Sequence, residues 1–187
     1  IHHIGDIMGN KKNLELLLKN FSNDDFYIFT GNYFAEIELV DEIIESLTSF
    51  FYKDNVVFLK GSFDGKINEF KNKKSVTESA SYVEKNNLIV DFNLQLKPYF
   101  IYSFGDRNVF VSSAGVSNVP LRPYLLNSSV YYDGVGGDEF DIDNSFNNNS
   151  NGKWIQVHGS RGFNNASDLS DSKILSYSLA PNKFSFF

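Results

Sequence analysis

The chain has 187 residues, enough for one domain whose core is stable without staples. It is 42% hydrophobic and 21% charged with a formal net charge of −6, which argues against a dedicated binder of nucleic-acid backbones, and it has no apolar run long enough for a membrane span. The absence of cysteine excludes a disulfide framework, a thiolate metal site and a cysteine nucleophile, without identifying a compartment.

Residues 1–4 read as a short apolar strand that ends at Gly5, and Leu14, Leu16, Leu17, Leu18 and Phe21 then mark a helical face. A chain that starts at Ile1, already inside a strand, is expected to be processed or cut from something longer. Phe26-Tyr27-Ile28-Phe29 reads as a buried strand, followed past Gly31 by Ile37, Val40, Ile43, Ile44 and Leu47 at helical spacing. Val56-Val57-Phe58-Leu59 is a third strand that again runs into a glycine. Strand-to-glycine units separated by helices predict parallel pairing through right-handed crossovers, with binding sites at the carboxyl ends of the strands.

Lys71, Lys73 and Lys74 read as a solvated helix end rather than a nucleic-acid patch, and a helix is expected over Val76–Glu84. Tyr99–Phe104 and Val109–Ser112 flank Gly105-Asp106-Arg107-Asn108, the pattern of an antiparallel hairpin. Residues 133–152, rich in Gly, Asp, Asn and Ser, are expected to form an exposed loop. Trp154-Ile155-Gln156-Val157-His158 returns to strand, and Ile174, Tyr177, Leu179 and Phe184-Ser185-Phe186-Phe187 predict two closing strands of a second, mixed sheet. The whole, residues 1–187, reads as a single α/β domain.

Four blocks stand at strand ends: Gly5-Asp6-Ile7-Met8-Gly9, Gly31-Asn32-Tyr33-Phe34-Ala35-Glu36, Gly61-Ser62-Phe63-Asp64 and Ser112-Ser113-Ala114-Gly115, followed later by Val157-His158-Gly159-Ser160. In order and placement they resemble the motifs of calcineurin-like metallophosphoesterases, G-D-x-H-G, G-D-x-x-D-R-G, G-N-H-[DE], H-A-G and G-H. The nearest branch is that of phage and bacterial serine/threonine phosphatases and diadenosine tetraphosphatases. The resemblance spans nearly the whole chain and implies a metallophosphoesterase-like sandwich of two mixed β-sheets flanked by helices. It also implies site residues that this sequence alters. Asp6 and His158 keep ligand positions, whereas Met8, Asn32, Ser62 and Ser113 stand where the family has His, Asp, Asn and His. Phe63 replaces the family's acid His, and Ala35-Glu36 replaces Asp-Arg, which puts a carboxylate where a phosphate-binding guanidinium would be.

A two-metal site must hold dications about 3.5–4 Å apart among many carboxylate and imidazole ligands. A thioether at Met8 has little affinity for Mn, Mg or Zn, Phe63 offers no donor, and a neutral Asn32 cannot offset the repulsion of two dications. Since even outer-sphere losses cost roughly 10–100-fold in affinity, no cofactor is expected, and Mn, Mg or Zn enters only if the site still works.

Each survivor also has a plain reading. Asp6 reads as a helix cap or a bond to turn amides, His158 as a satisfied structural histidine, and Asp64-Gly65 as a turn. Of the adjacent His2 and His3, at most one could converge with Asp6, because neighbours on a strand point to opposite faces. Gly136-Gly137-Asp138-Glu139-Phe140 spells a cyclase signature without the context that signature requires. The acidic run Asp138, Glu139, Asp141 and Asp143 lacks the spacing of a Ca²⁺ loop and reads as solvated.

The expectation is a catalytically inactive metallophosphoesterase-like domain, a structural or interaction module with protein partners or self-assembly, in a larger assembly such as a phage particle. Phe184, Phe186 and Phe187 are its candidate contact residues. No nucleic-acid or membrane partner is expected, and a soluble, virion or intracellular setting fits. The alternative is a divergent, active phosphoesterase that uses Asp6, Asn32, Asp64 and His158. A third possibility is a regulator that binds a phosphorylated ligand without cleaving it, which Glu36 disfavours.

Overall fold

The computed structural model describes residues 1–34, 40–64, 80–136, 141–159, 176–178 and 184–186. β1 (His2–Ile4), β2 (Tyr27–Phe29), β3 (Val56–Leu59) and β4 (Leu96–Lys97) pair in parallel, and β9 (Phe184–Phe186) closes the sheet antiparallel to β1, giving the order β4-β3-β2-β1-β9. A second sheet has the order β5-β6-β7-β8, in which β5 (Tyr99–Phe104) and β6 (Arg107–Ser112) are antiparallel. There β7 (Trp154–His158) runs parallel to β6, and β8 (Ser176–Ser178) parallel to β7. This is an α/β fold with two mixed sheets, as the sequence predicts.

The helices follow from apolar spacing. α1 (Lys11–Lys19) buries Leu14, and α2 (Val40–Leu47) buries Val40, Ile43, Ile44 and Leu47 at i, i+3, i+4 and i+7. Both pack with Tyr27, Phe29 and Phe58 on one face of the first sheet. Its other face, through Ile28, Val57 and Leu59, meets Val109, Val111, Ile155 and Val157 of the second sheet. Alternation along the strands produces this sandwich: Phe29 and Ile28 point to opposite sides, as do Phe110 and Val111.

The expected helix over Val76–Glu84 is corrected to α3 (Ala80–Gln95), with 76–79 outside the described residues. It runs through Asn86-Asn87 because Leu88, Ile89 and Phe92 lie along one side and pack into the core. The hairpin turn is shorter than expected: Phe104 pairs with Arg107, so only Gly105 and Asp106 turn, with Gly105 at φ +61° as a two-residue turn requires.

The exposed loop expected over 133–152 is also corrected. After the single turn α4 (Ser129–Tyr132), the segment contains α5 (Ile142–Asn149), which buries Ile142 and Phe146 beneath a polar composition. Asp141 caps it by accepting from Asn144 N at 2.9 Å. The closing strands divide between the sheets: β8 joins the second, as predicted, but β9 joins the first. That puts the backbones of Phe184 and Phe186 against β1, while Phe187, the Lys71, Lys73 and Lys74 cluster and residues 137–140 lie outside the described residues.

Candidate functional site

β1, β2 and β3 all end in loops at one edge of the first sheet. The first loop turns sharply, with Met8 at φ +50° and Gly9 at +73°, and the buried Ile7 fixes it to the core. Its amides reach the second loop: Met8 N donates to Asn32 O at 2.9 Å and Gly9 N to Tyr33 O at 2.8 Å. The cap of α1 is Asn10, whose Oδ1 accepts from Asn13 N at 3.0 Å. Asp6 is therefore not the helix cap that its place between strand and helix predicted. It turns inward, 2% exposed, and Asp6 Oδ2 accepts from Asn32 Nδ2 at 3.0 Å.

Asn32 is the junction of the three loops. Its backbone is left-handed at φ +52°, a region asparagine tolerates better than most residues. Its Oδ1 accepts from Phe63 N at 3.2 Å and from Ser62 Oγ at 3.4 Å. Gly31 and Gly61 allow this approach, since a Cβ on Gly31 would stand 2.6 Å from Gly61 N. The Phe63 ring itself is 41% exposed, so the residue contributes a backbone donor and an apolar surface.

Asp64 does more than turn the chain. Fully buried, it accepts from the backbone N–H groups of Asn32 at 2.9 Å, Tyr33 at 2.9 Å and Gly61 at 2.7 Å. Burial pushes its carboxyl up to about 7, against the pull of those three donors and Lys60 in the other direction. Tyr33, which donates its hydroxyl to Leu59 O at 3.0 Å, is raised well above the phenol range by burial and by the nearby Asp64 and Asp6. No local sequence signal announces the three-donor role of Asp64, because two of its donors lie about thirty residues away.

The second sheet contributes Ser112-Ser113-Ala114-Gly115 and His158. Ser112 Oγ accepts from Gly115 N at 3.1 Å, and Ala114 N donates to Tyr131 O at 2.9 Å. Ser113 Oγ is buried without a hydrogen-bond partner among the described residues. His158, 1% exposed, has Nδ1 at 2.6 Å from Gly159 O and Nε2 at 3.0 Å from Asp143 Oδ1 on α5. Both ring nitrogens are thus turned toward protein oxygens, Nδ1 to the backbone and Nε2 to α5. The next residue, Gly159, joins the sheets: a Cβ there would lie 2.5 Å from Asp6 Oδ1 and 2.9 Å from Ser113 O.

The structure thus gathers Asp6, Asn32, Ser62, Phe63 and Asp64, with Met8 half-buried on the adjoining loop, and brings Ser113 and Gly159 against Asp6. Glu36 lies outside the described residues. His2 pairs with Asp25 at 3.2 Å, and His3, facing the other sheet, meets Tyr102 OH at 3.1 Å. Among the described residues no cluster of three or more His, Asp or Glu side chains is placed to hold a metal ion. Asp143, which the sequence places in a solvated acidic run, instead meets His158 from the first turn of α5, a helix hidden by asparagines.

Comparison with known proteins now bears on this arrangement. A hypothetical protein from Pyrococcus horikoshii OT3 superposes with a TM-score of 0.56 at 15% identity, over 97% of this chain and 76% of its own. A protein serine/threonine phosphatase from Saccharomyces cerevisiae, with similarity to human phosphatase PP5, superposes with a TM-score of 0.57 at 15% identity, over 97% of this chain and 67% of its own. At that identity the likeness is one of fold. A search of curated protein sequences finds no match. The sequence profile of the calcineurin-like phosphoesterases matches residues 1–186, and the chain belongs to that family.

Proposed function

We propose that this chain is a catalytically inactive calcineurin-like phosphoesterase domain that serves as a structural or interaction module. The observation that carries the reading is the Asp6–Asn32 hydrogen bond at 3.0 Å. A pair of dications needs an anion between them, and Asn32 offers a neutral amide whose nitrogen is spent on Asp6 and whose oxygen is spent on the third loop. The other donors fit no better. Asp64 is saturated by backbone amides, both His158 nitrogens are turned to Gly159 O and Asp143, and Ser62, Ser113 and the Met8 thioether are poor partners for Mn, Mg or Zn. The residues present therefore do not fit a two-metal centre, and no step is derived through one.

The interaction half of the reading draws on Leu121, Tyr124, Leu125 and Leu126, exposed together after the Ala114-Gly115 turn at 101%, 73%, 65% and 46%. Among the described residues no helix is long and apolar enough to cross a membrane.

The test is turnover of p-nitrophenyl phosphate by the purified full chain in Mn²⁺, with metal content measured by mass spectrometry and assembly state by light scattering. Absence of both turnover and stoichiometric metal is expected. Metal-dependent turnover that disappears in Asp6→Ala would establish the divergent active phosphoesterase instead.

A further inference from the structure

We infer that Asn32 is a metal-free staple: it joins the carboxyl ends of β1, β2 and β3 by hydrogen bonds alone, so the cleft keeps its shape with no cation inside. This deepens the inactive reading by naming what holds the site together, and it is read from stability instead of turnover.

Three constraints meet at this one residue. The backbone stands at φ +52°, where glycine, asparagine and aspartate are the residues most at ease. The side chain must donate to the buried Asp6 carboxylate, which Nδ2 does at 3.0 Å. It must also accept from the third loop, which Oδ1 does for Phe63 N at 3.2 Å and Ser62 Oγ at 3.4 Å. Glycine meets only the first requirement. Aspartate meets the first and third but sets its carboxylate against that of Asp6, two like charges about 3 Å apart with little solvent to screen them. Asparagine meets all three.

The main chain of the same residue completes the joint. Asn32 N donates to Asp64 Oδ2 at 2.9 Å, and Asn32 O accepts from Met8 N at 2.9 Å. One residue, 6% exposed, therefore donates to both buried carboxylates, one through its side chain and one through its backbone. A neutral bridge of this kind achieves without added charge what an anionic bridge could do only with a cation beside it.

The experiment is thermal unfolding of the full chain in EDTA and in excess MnCl₂, for wild type, Asn32→Asp, Asn32→Gly and the exchange Asp6→Asn with Asn32→Asp. The wild-type midpoint is expected to be the same in both media. Asn32→Asp should melt about 5 °C lower in EDTA, a shift of the size expected when a buried polar contact is lost in a chain of this length. The exchange, which restores one amide and one carboxylate across the same gap, should recover at least half of that loss. Asn32→Gly, which keeps the turn and drops the side chain, should fall between wild type and Asn32→Asp and remain measurable if the latter fails to fold. A wild-type midpoint that drops on chelation, an Asn32→Asp protein as stable as wild type, or an exchange no better than the single change would each overturn the staple. Manganese-dependent turnover with an unmoved wild-type midpoint would overturn only the inactive reading, and a chelation-sensitive midpoint without turnover only the staple.

Discussion

Asp143 and His158 stand 15 residues apart in the chain and meet at 3.0 Å, which ties α5 to the end of β7. His158 is 1% exposed, so removing its partner at Nε2 leaves a buried ring nitrogen with little water to turn to. Asp143→Ala is expected to lower stability by about 1–3 kcal/mol in urea unfolding, a loss typical of a buried polar group left unsatisfied. Asp143→Asn, which keeps an acceptor oxygen, should lose less than half as much.

Gly159 is predicted to be intolerant for steric reasons. A Cβ there would lie 2.5 Å from Asp6 Oδ1, 2.9 Å from Ser113 O and 3.2 Å from Thr30 Oγ1, and the second of these is backbone that cannot swing aside. Gly159→Ala should cost roughly 2–3 kcal/mol, at the upper end of overpacking losses. Gly152→Ala is the comparison, since nothing stands within 4 Å of its Cβ and only its positive φ of 75° opposes the change. It should cost about 1 kcal/mol. Equal losses at the two sites, measured by urea unfolding, would contradict the close approach of the two sheets.

Asp64 gives stability a pH dependence with a definite sign. Its carboxyl rises from 3.8 to about 7 on folding, mainly through burial, so the folded state binds the proton more tightly than the unfolded one. Its contribution is fully present below about pH 4 and is lost as pH climbs through 7, by at most on the order of 4 kcal/mol. Asp64→Asn should flatten this part of the profile when unfolding free energy is followed from pH 4 to 8. The variant also leaves one backbone N–H with a poorer partner, so it should be less stable than wild type at pH 4.

His3 acts in the opposite direction. Burial, helped by the positive charge of the amino terminus and of His2, lowers its imidazole from 6.5 to about 3. The unfolded chain therefore takes up a proton that the fold refuses, and the stability present above pH 6.5 is lost as pH falls through 3. His3→Gln should lose stability less steeply in acid, its profile diverging from wild type between those two values in unfolding followed by circular dichroism.

Much of the fold was legible because its signals are local. Ile28 and Phe29 lie in an unbroken apolar run, Val40, Ile43, Ile44 and Leu47 keep helical spacing, and Gly105-Asp106 sits between alternating strands. Composition misled where packing decides: the asparagines of α5 are a solvated face, and the informative pair was Ile142 and Phe146, four apart and both buried. Nothing near Phe184–Phe186 says which sheet receives β9, since pairing with β1 is a contact between the two ends of the described chain. In the site, residue identities indicated what Asn32, Ser62 and Phe63 do not offer. The hydrogen bonds of Asp64 and Asp143 could not be read, because their partners come from other loops.

Asp64 fastens the loop amides from behind the cleft, on the side away from solvent. Outline and reactivity are thus in the care of different residues. Side chains at the mouth, at Phe63 or Met8, can change while the frame stays in register, because that frame is held through backbone amides. A new side chain placed at the mouth would then meet a backbone already in position.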